Sequence, residues 1–301
     1  MSVKVTELMI NINQEYIILE EIGRGGWGVV HKAIRQSDQK EVAIKFFGYT
    51  NQTPDRGVIN NEIMYLMSLY GVEGSIQIIS VFYDTQDGLL PNKTTTFLQS
   101  YPAIVMEPVI GGTLLQYTQN LVNKKQKQTE RQYADIFRRV MIALQSIHAR
   151  NYIHRDIKLA NIMFTTKEED SPIKIIDYGL LVELRIGQDV YLSQSIDGTN
   201  GLFAPESLDH KLYSFKSDIW QAGCALFTLL CQHPPFYSEV FGYDAIRGGL
   251  FYESPQWNSL SNDVKDLIRN MLNPDPNLRF SVNEVLLHPW LSQGQQQVNS
   301  V

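Results

Sequence analysis

The stretch Tyr152-Ile-His154-Arg155-Asp156-Ile-Lys158-Leu-Ala-Asn161, followed by Ile173-Lys-Ile-Ile-Asp177-Tyr178-Gly179, decides the reading of this 301-residue chain. Residues 162–164 and 173–176 are short apolar runs, rich in isoleucine, on either side of a charged turn, Thr165-Thr-Lys-Glu-Glu-Asp-Ser-Pro172. Paired as a hairpin, they would set Asn161 and Asp177 side by side at its open end. An amide oxygen and a carboxylate there make a hard-oxygen site of the kind Mg²⁺ accepts, with room for water and phosphate. Asp156 and Lys158 lie just upstream. A carboxylate there could accept a hydroxyl proton while the ammonium neutralises a phosphoryl group in flight. A lone loop aspartate is commonly a turn or cap residue, but that reading does not account for the whole constellation.

Working toward the N-terminus, residues 16–21, 29–34 and 42–47 read as consecutive antiparallel strands separated by glycine-rich or polar turns. The first turn carries Gly23-Arg24-Gly25-Gly26-Trp27-Gly28-Val29-Val30. A Gly-x-Gly-x-x-Gly run alone fits a dinucleotide fingerprint, another phosphate loop or a bare hairpin. A dinucleotide fingerprint opens a helix. Here a strand-forming segment follows, so backbone N–H groups on a strand–turn–strand could cover phosphates. The Walker spacing is absent. Lys45 ends the apolar strand Val42-Ala43-Ile44-Lys45, and Glu62 sits in a helical stripe with Ile59, Ile63 and Leu66. A charge on such a face needs a partner, and Lys45 is the natural one. The bland alternative is a strand-edge lysine and a solvated glutamate.

Working toward the C-terminus, residues 133–149 show helical spacing, and residues 219–231 form a 13-residue apolar run that includes Gln221. That run is too short to span a bilayer and reads as a buried helix. Gly198-Thr199-Asn-Gly-Leu-Phe-Ala-Pro-Glu206, Ser217-Asp218-Ile-Trp220 and Arg279 follow in order. The expected organisation is a β-rich lobe over 1–108, a helical lobe over 109–292 and a polar tail over 293–301. A long polar loop over 84–102 is the expected place for partner contacts.

Composition bounds the function. The net charge of −6 argues against a surface that grips bare nucleic acid. A hydrophobic share of 44% with 19% charged residues is that of a globular chain with a substantial core. The two cysteines, Cys224 and Cys231, exclude a disulfide framework and read as packed core thiols. The first residues do not read as a secretory signal, so a cytoplasmic setting is expected.

In these motifs and their order, the chain resembles the eukaryotic protein kinase family over residues 16–291, nearly its whole length. The closing segment Val264-Lys-Asp-Leu-Ile-Arg, Asp275-Pro, Arg279-Phe and His288-Pro-Trp-Leu is similar to the calcium/calmodulin-dependent group of serine/threonine kinases. The resemblance implies an α+β, two-lobed fold and transfer of the γ-phosphoryl of ATP to Ser/Thr hydroxyls of protein substrates, with Mg²⁺. By the same resemblance, Ile22, Val30, Ala43 and Met163 would sandwich adenine. Met106 would be the gatekeeper, and Glu107 and Val109 would offer backbone hydrogen bonds. Residues 23–30 (Gly23, Arg24, Gly25, Gly26, Trp27, Gly28, Val29 and Val30) would cover the phosphates. Lys45, paired with Glu62, would hold the α- and β-phosphates. Asp177 and Asn161 would carry Mg²⁺, Asp156 would be the base, and Lys158 would steady the γ-phosphate. Thr199 would bridge Asp156 and Lys158, and Glu206 would pair with Arg279.

Three departures stand out. Tyr178 replaces a phenylalanine, and its hydroxyl needs a partner. Thr113, Ala160 and Thr228 stand where Arg-directed relatives carry acids, so no upstream arginine requirement is expected. Arg155 beside Asp156 implies activation-loop control, with Ser195 the expected phosphorylation site and Asp197 an alternative source of charge. An upstream activating kinase or an assembly partner would then act on the chain. A pseudokinase-like scaffold within an assembly is the runner-up, and a small-molecule kinase of the same fold is a third reading.

Overall fold

A computed structural model describes residues 4–6, 12–25, 28–48, 56–82, 102–168, 170–236 and 254–292. Residues 84–101 of the expected loop over 84–102, the tail over 293–301, and Gly26 and Trp27 lie outside the described residues. The chain divides into two compact units, Met1–Gly71 with Ile76–Val109, and Val72–Ser75 with Ile110–Val301.

The first unit is built on a six-stranded sheet. Its strands are β1 (Lys4–Thr6), β2 (Tyr16–Arg24), β3 (Gly28–Arg35), β4 (Glu41–Phe47), β5 (Ile78–Phe82) and β6 (Ala103–Met106), in the order β1-β5-β6-β4-β3-β2. Neighbours from β2 to β6 are antiparallel, as expected. The edge departs from that expectation, because β1 pairs in parallel with β5. Alternation along the strands sorts the two faces. Val42, Ile44 and Phe46 of β4 join Ala33, Ala103 and Val105 in a core with Ile12, Tyr16 and Phe82. Ala43 and Lys45 therefore belong to the opposite face. The helical stripe is α2 (Arg56–Ser68), the second helix after the short α1 (Ile12–Glu15), and it buries Ile59, Glu62, Ile63 and Leu66.

The second unit is largely helical. It begins with α3 (Leu114–Asn123) and α4 (Glu130–His148), each started by a capping box, Thr113 with Gln116 and Thr129 with Gln132. The stripe Phe137, Val140, Met141, Leu144 and Ile147 is buried. Next come β7 (Tyr152–Ile153), β8 (Ile162–Phe164) and β9 (Ile173–Ile175), with β8 and β9 antiparallel in the register Ile162 with Ile175. Two short strands follow, β10 (Val182–Glu183) and β11 (Tyr191–Leu192), the latter paired with β12 (Leu212–Tyr213) beyond α5 (Pro205–His210). Buried nearly all round, α6 (Phe215–Cys231) contains both cysteines as free thiols. Burial pushes Cys231 up to about 12 and raises Cys224 as well, so both stay protonated. The unit closes with α7 (Pro255–Ser259), α8 (Asn262–Met271), α9 (Val282–Leu287) and α10 (Pro289–Ser292). The segment Val72–Ser75 belongs with these helices, because the Ile175 N–H donates to Gly74 O at 2.8 Å and Lys174 Nζ to Ser75 O at 2.9 Å.

Candidate active site

In the first unit, β2 and β3 make the expected strand–turn–strand, with Gly23 opposite Val30 and Arg24 opposite Val29. Glycine is required at Gly28 by close approach, since a Cβ there would meet Phe46 O at 2.4 Å. A Cβ at Gly25 would meet no described residue within 4 Å. The register irregularity between Glu21 and Gly23 leaves Ile22 unpaired in the ladder and 40% exposed. Register sets Val30 opposite Lys45 and Ala43 opposite Met106, so all four side chains share one face. Val29 is different: it lies opposite Phe46 and is buried, so only its backbone could serve a ligand. Arg24 pairs with Glu21 at the surface. Lys45 Nζ donates to Glu62 Oε1, and Glu62 is only 7% exposed. Pairing therefore resolves the charge in the apolar stripe. Glu107 is tied to Gln77, its amide donating to Gln77 O at 2.9 Å and its carboxylate accepting from Gln77 N–H at 2.8 Å. Val109 is buried at the end of the unit.

In the second unit, four of the expected residues form one hydrogen-bonded cluster. Lys158 Nζ donates to Asp156 Oδ2 at 2.6 Å and to Thr199 Oγ1 at 2.7 Å. Thr199 Oγ1 donates to Asp156 Oδ1 at 2.6 Å, closing the ring. Asn161 Nδ2 donates to Asp156 O at 2.9 Å and to Asp156 Oδ2 at 3.1 Å. Its amide nitrogen is thus committed to the loop, which leaves the oxygen as the atom for a cation. At the open end of the β8–β9 hairpin the Ile176 N–H donates to Asn161 O at 2.9 Å, and Asp177 follows, exposed, at φ 69°. Among the described residues no three His, Cys, Asp or Glu side chains converge on a metal position. Mg²⁺ does not need such a cage, because one or two protein oxygens with phosphate and water suffice. The donors present fit that ion. Met163 lies in β8, two residues after Asn161 and opposite Lys174.

Comparison with known proteins matches residues 16–291 to the family described as protein kinase domain. The chain belongs to the protein kinase domain family. It is 33% identical to calcium-dependent protein kinase 29 of Arabidopsis thaliana over 289 residues, covering 94% of this chain and 50% of that protein. Over 290 residues it is 33% identical to calcium-dependent protein kinase 19 of Arabidopsis thaliana, covering 94% and 49%. Calcium-dependent protein kinase 3 of Oryza sativa subsp. japonica is 30% identical over 298 residues, covering 97% and 50%. The chain spans about half the length of these curated relatives.

In this kinase domain, residues without a role in the sequence reading hold the Asp156 loop. Asp218 of α6 accepts from the backbone N–H of His154 at 2.8 Å and of Arg155 at 2.9 Å, and its Oδ2 lies 2.8 Å from His148 Nε2. Gln221, one turn on, accepts from the Ile157 N–H at 2.9 Å and donates to Arg155 O at 2.8 Å. The signal was present as Gln221 interrupting the apolar run and Asp218 just before it. Tyr178 Oη donates to Ile175 O at 2.6 Å, which supplies the partner its hydroxyl needs. Arg279 is fully buried, and its guanidinium meets both carboxylate oxygens of Glu206, at 2.7 and 2.9 Å.

Arg155, also at positive φ, lies over the rings of Tyr191 and Tyr213 and donates from Nη1 to Asp197 Oδ2 at 2.9 Å. Ser193 and Ser195 hydroxyls donate to the same carboxylate at 2.7 and 2.6 Å. Partial burial works against the charge on Asp197, but the two hydroxyls and the guanidinium outweigh it and hold the carboxyl below its usual range. Ser195 therefore faces Asp197, and Asp197 already faces Arg155.

Proposed function

We propose that the chain transfers the γ-phosphoryl group of ATP to Ser and Thr hydroxyls of protein substrates. The ring of Asp156, Lys158 and Thr199, braced by Asn161, carries this reading. Asp156 accepts the proton as the substrate oxygen bonds to the γ-phosphorus and the bridge to the β-phosphate breaks, releasing ADP. Lys158 neutralises the phosphoryl oxygens during transfer. Thr199 positions both groups. Asn161 and Asp177 would hold Mg²⁺, which when bound offsets phosphate charge. Lys45, fixed by Glu62, would serve the α- and β-phosphates, and the face shared by Val30, Ala43 and Met106 would take the adenine, with Ile22. Asp197 supplies the charge that Arg155 requires. A phosphate on Ser195 would bring a second anion against that carboxylate.

Protein rather than small-molecule acceptors are supported by the Gly198–Glu206 segment, whose order follows the family's docking loop. A cytoplasmic setting belongs to the same proposal, because the reaction draws on ATP. No helix among the described residues is long and apolar enough to cross a membrane.

The test is transfer from radiolabelled ATP to a generic protein substrate, followed by phosphoamino-acid analysis. Phosphoserine and phosphothreonine are expected, with a loss of about 10²–10⁴-fold in Asp156→Asn. Equal rates in wild type and variant would favour the scaffold reading.

A further inference from the structure

We propose that Tyr178 is a positioning residue whose hydroxyl straps Asp177 into its backbone arrangement before Mg²⁺ and nucleotide arrive. The inference rests on the kinase reading above and adds a residue on which the metal position depends. Asp177 is exposed, whereas Ile175 is fully buried and Tyr178 is 1% exposed. The φ of 69° at Asp177 lies in the left-handed region, where a side chain crowds its own backbone and the cost must be offset by the surroundings. The Tyr178 hydroxyl supplies such an offset. By donating to Ile175 O at 2.6 Å it closes a ring of chain with only Ile176 and Asp177 between its ends.

Both ends of the ring are anchored. Ile175 pairs with Ile162 in the β8–β9 ladder, and its N–H donates to Gly74 O at 2.8 Å. The Tyr178 ring stands edge-on to His154, with centroids 5.8 Å apart, and its carbonyl accepts from the Leu181 N–H at 3.1 Å. A large change of φ or ψ at Asp177 moves one end relative to the other and so costs the hydroxyl bond. Inside the ring the Ile176 N–H donates to Asn161 O at 2.9 Å, which keeps Asp177 in register with the other proposed Mg²⁺ residue. A cation held by one carboxylate and one amide oxygen, with phosphate and water, binds more tightly when both oxygens are set in advance.

Tyr178→Phe tests this, because it removes the hydroxyl and keeps the buried ring. Hydrogen exchange followed by mass spectrometry on the free protein should show the amides of residues 176–181 exchanging about three- to tenfold faster in the variant, with those of α6 unchanged. In transfer from ATP to a generic protein, the Mg²⁺ concentration for half-maximal rate should rise by a similar factor. At saturating Mg²⁺, kcat and the KM for the acceptor should stay within about twofold of wild type. Equal exchange in the two proteins overturns the proposal, as does an unchanged Mg²⁺ requirement or a fall in kcat alone. Faster exchange throughout the variant, α6 included, also overturns it, because the hydroxyl would then support the whole unit rather than Asp177. Absence of transfer by the wild type at every Mg²⁺ concentration overturns the kinase reading itself, and the metal role with it, whatever the exchange rates.

Discussion

At the scale of single residues, the charge balance around Arg155 sets the expected regulation. Its guanidinium is buried, and Asp197, about a quarter exposed, is its carboxylate partner. Hydrogen bonds to charged groups contribute about 1.5–3 kcal/mol, less where solvent reaches them. Loss of this one from the active arrangement corresponds to about tenfold in rate. Asp197→Asn should therefore lower kcat about tenfold, while Ser195→Ala should remain within about twofold of wild type. Loss of activity in Ser195→Ala, with phosphate found on Ser195 of the wild type by mass spectrometry, would defeat this account. The residue types for this balance were visible in the sequence, but their assignment was not. Arg155 lies 42 positions before Asp197, with Ser195 two positions short of that aspartate, and nothing local says which anion reaches the guanidinium. The Lys45–Glu62 pair was legible for the opposite reason, because a glutamate on an apolar stripe must be neutralised.

At the scale of elements, α6 acts as the anchor of the Asp156 loop. Gln221 is 2% exposed, and both ends of its amide are used on the loop backbone. Gln221→Leu would leave a buried N–H and a buried carbonyl without partners, at about 1–3 kcal/mol each. A destabilisation of about 2–5 kcal/mol in urea unfolding is expected, with a further fall in kcat of the folded fraction. A change under about 1 kcal/mol would show that the amide is not holding the loop. The helices and the β8–β9 hairpin were readable because periodicity and turn chemistry are local. The parallel β1–β5 pair was not, because a three-residue strand carries no pattern and its partner lies more than 70 positions away. Asp218 was visible as part of a motif, yet its bonds to His154 and Arg155 come from tertiary packing alone.

At the scale of the whole molecule, buried titratable groups set the acid limit of stability. His154 is fully buried, and its Nδ1 accepts from the Asp156 N–H at 3.3 Å, which keeps the ring neutral. Desolvation lowers its pKa, outweighing the attraction of Asp218, Asp177 and Asp156. The unfolded chain then binds the proton first. Stability is complete above the unfolded value of about 6.5 and declines as pH falls from there toward the folded value. One such proton gives a slope of up to about 1.4 kcal/mol per pH unit. A second decline is expected below about pH 4, where Asp197 and Glu130, both held below their usual range, take up protons. Thermal melts from pH 7.5 to 3.5 should show both steps, and His154→Phe should flatten the first even if its Tm is lower throughout. A Tm constant from pH 7 to pH 5 would rule out this role for His154.

The burial of Cys224 and Cys231 in α6 has a practical corollary. Maleimide reagents need an accessible thiolate, and the folded chain offers neither native sulfur in that form. A single cysteine introduced at an exposed position would be the sole point of dye or spin-label attachment. Fluorescence or electron-spin measurements could then follow nucleotide binding without first removing either natural cysteine.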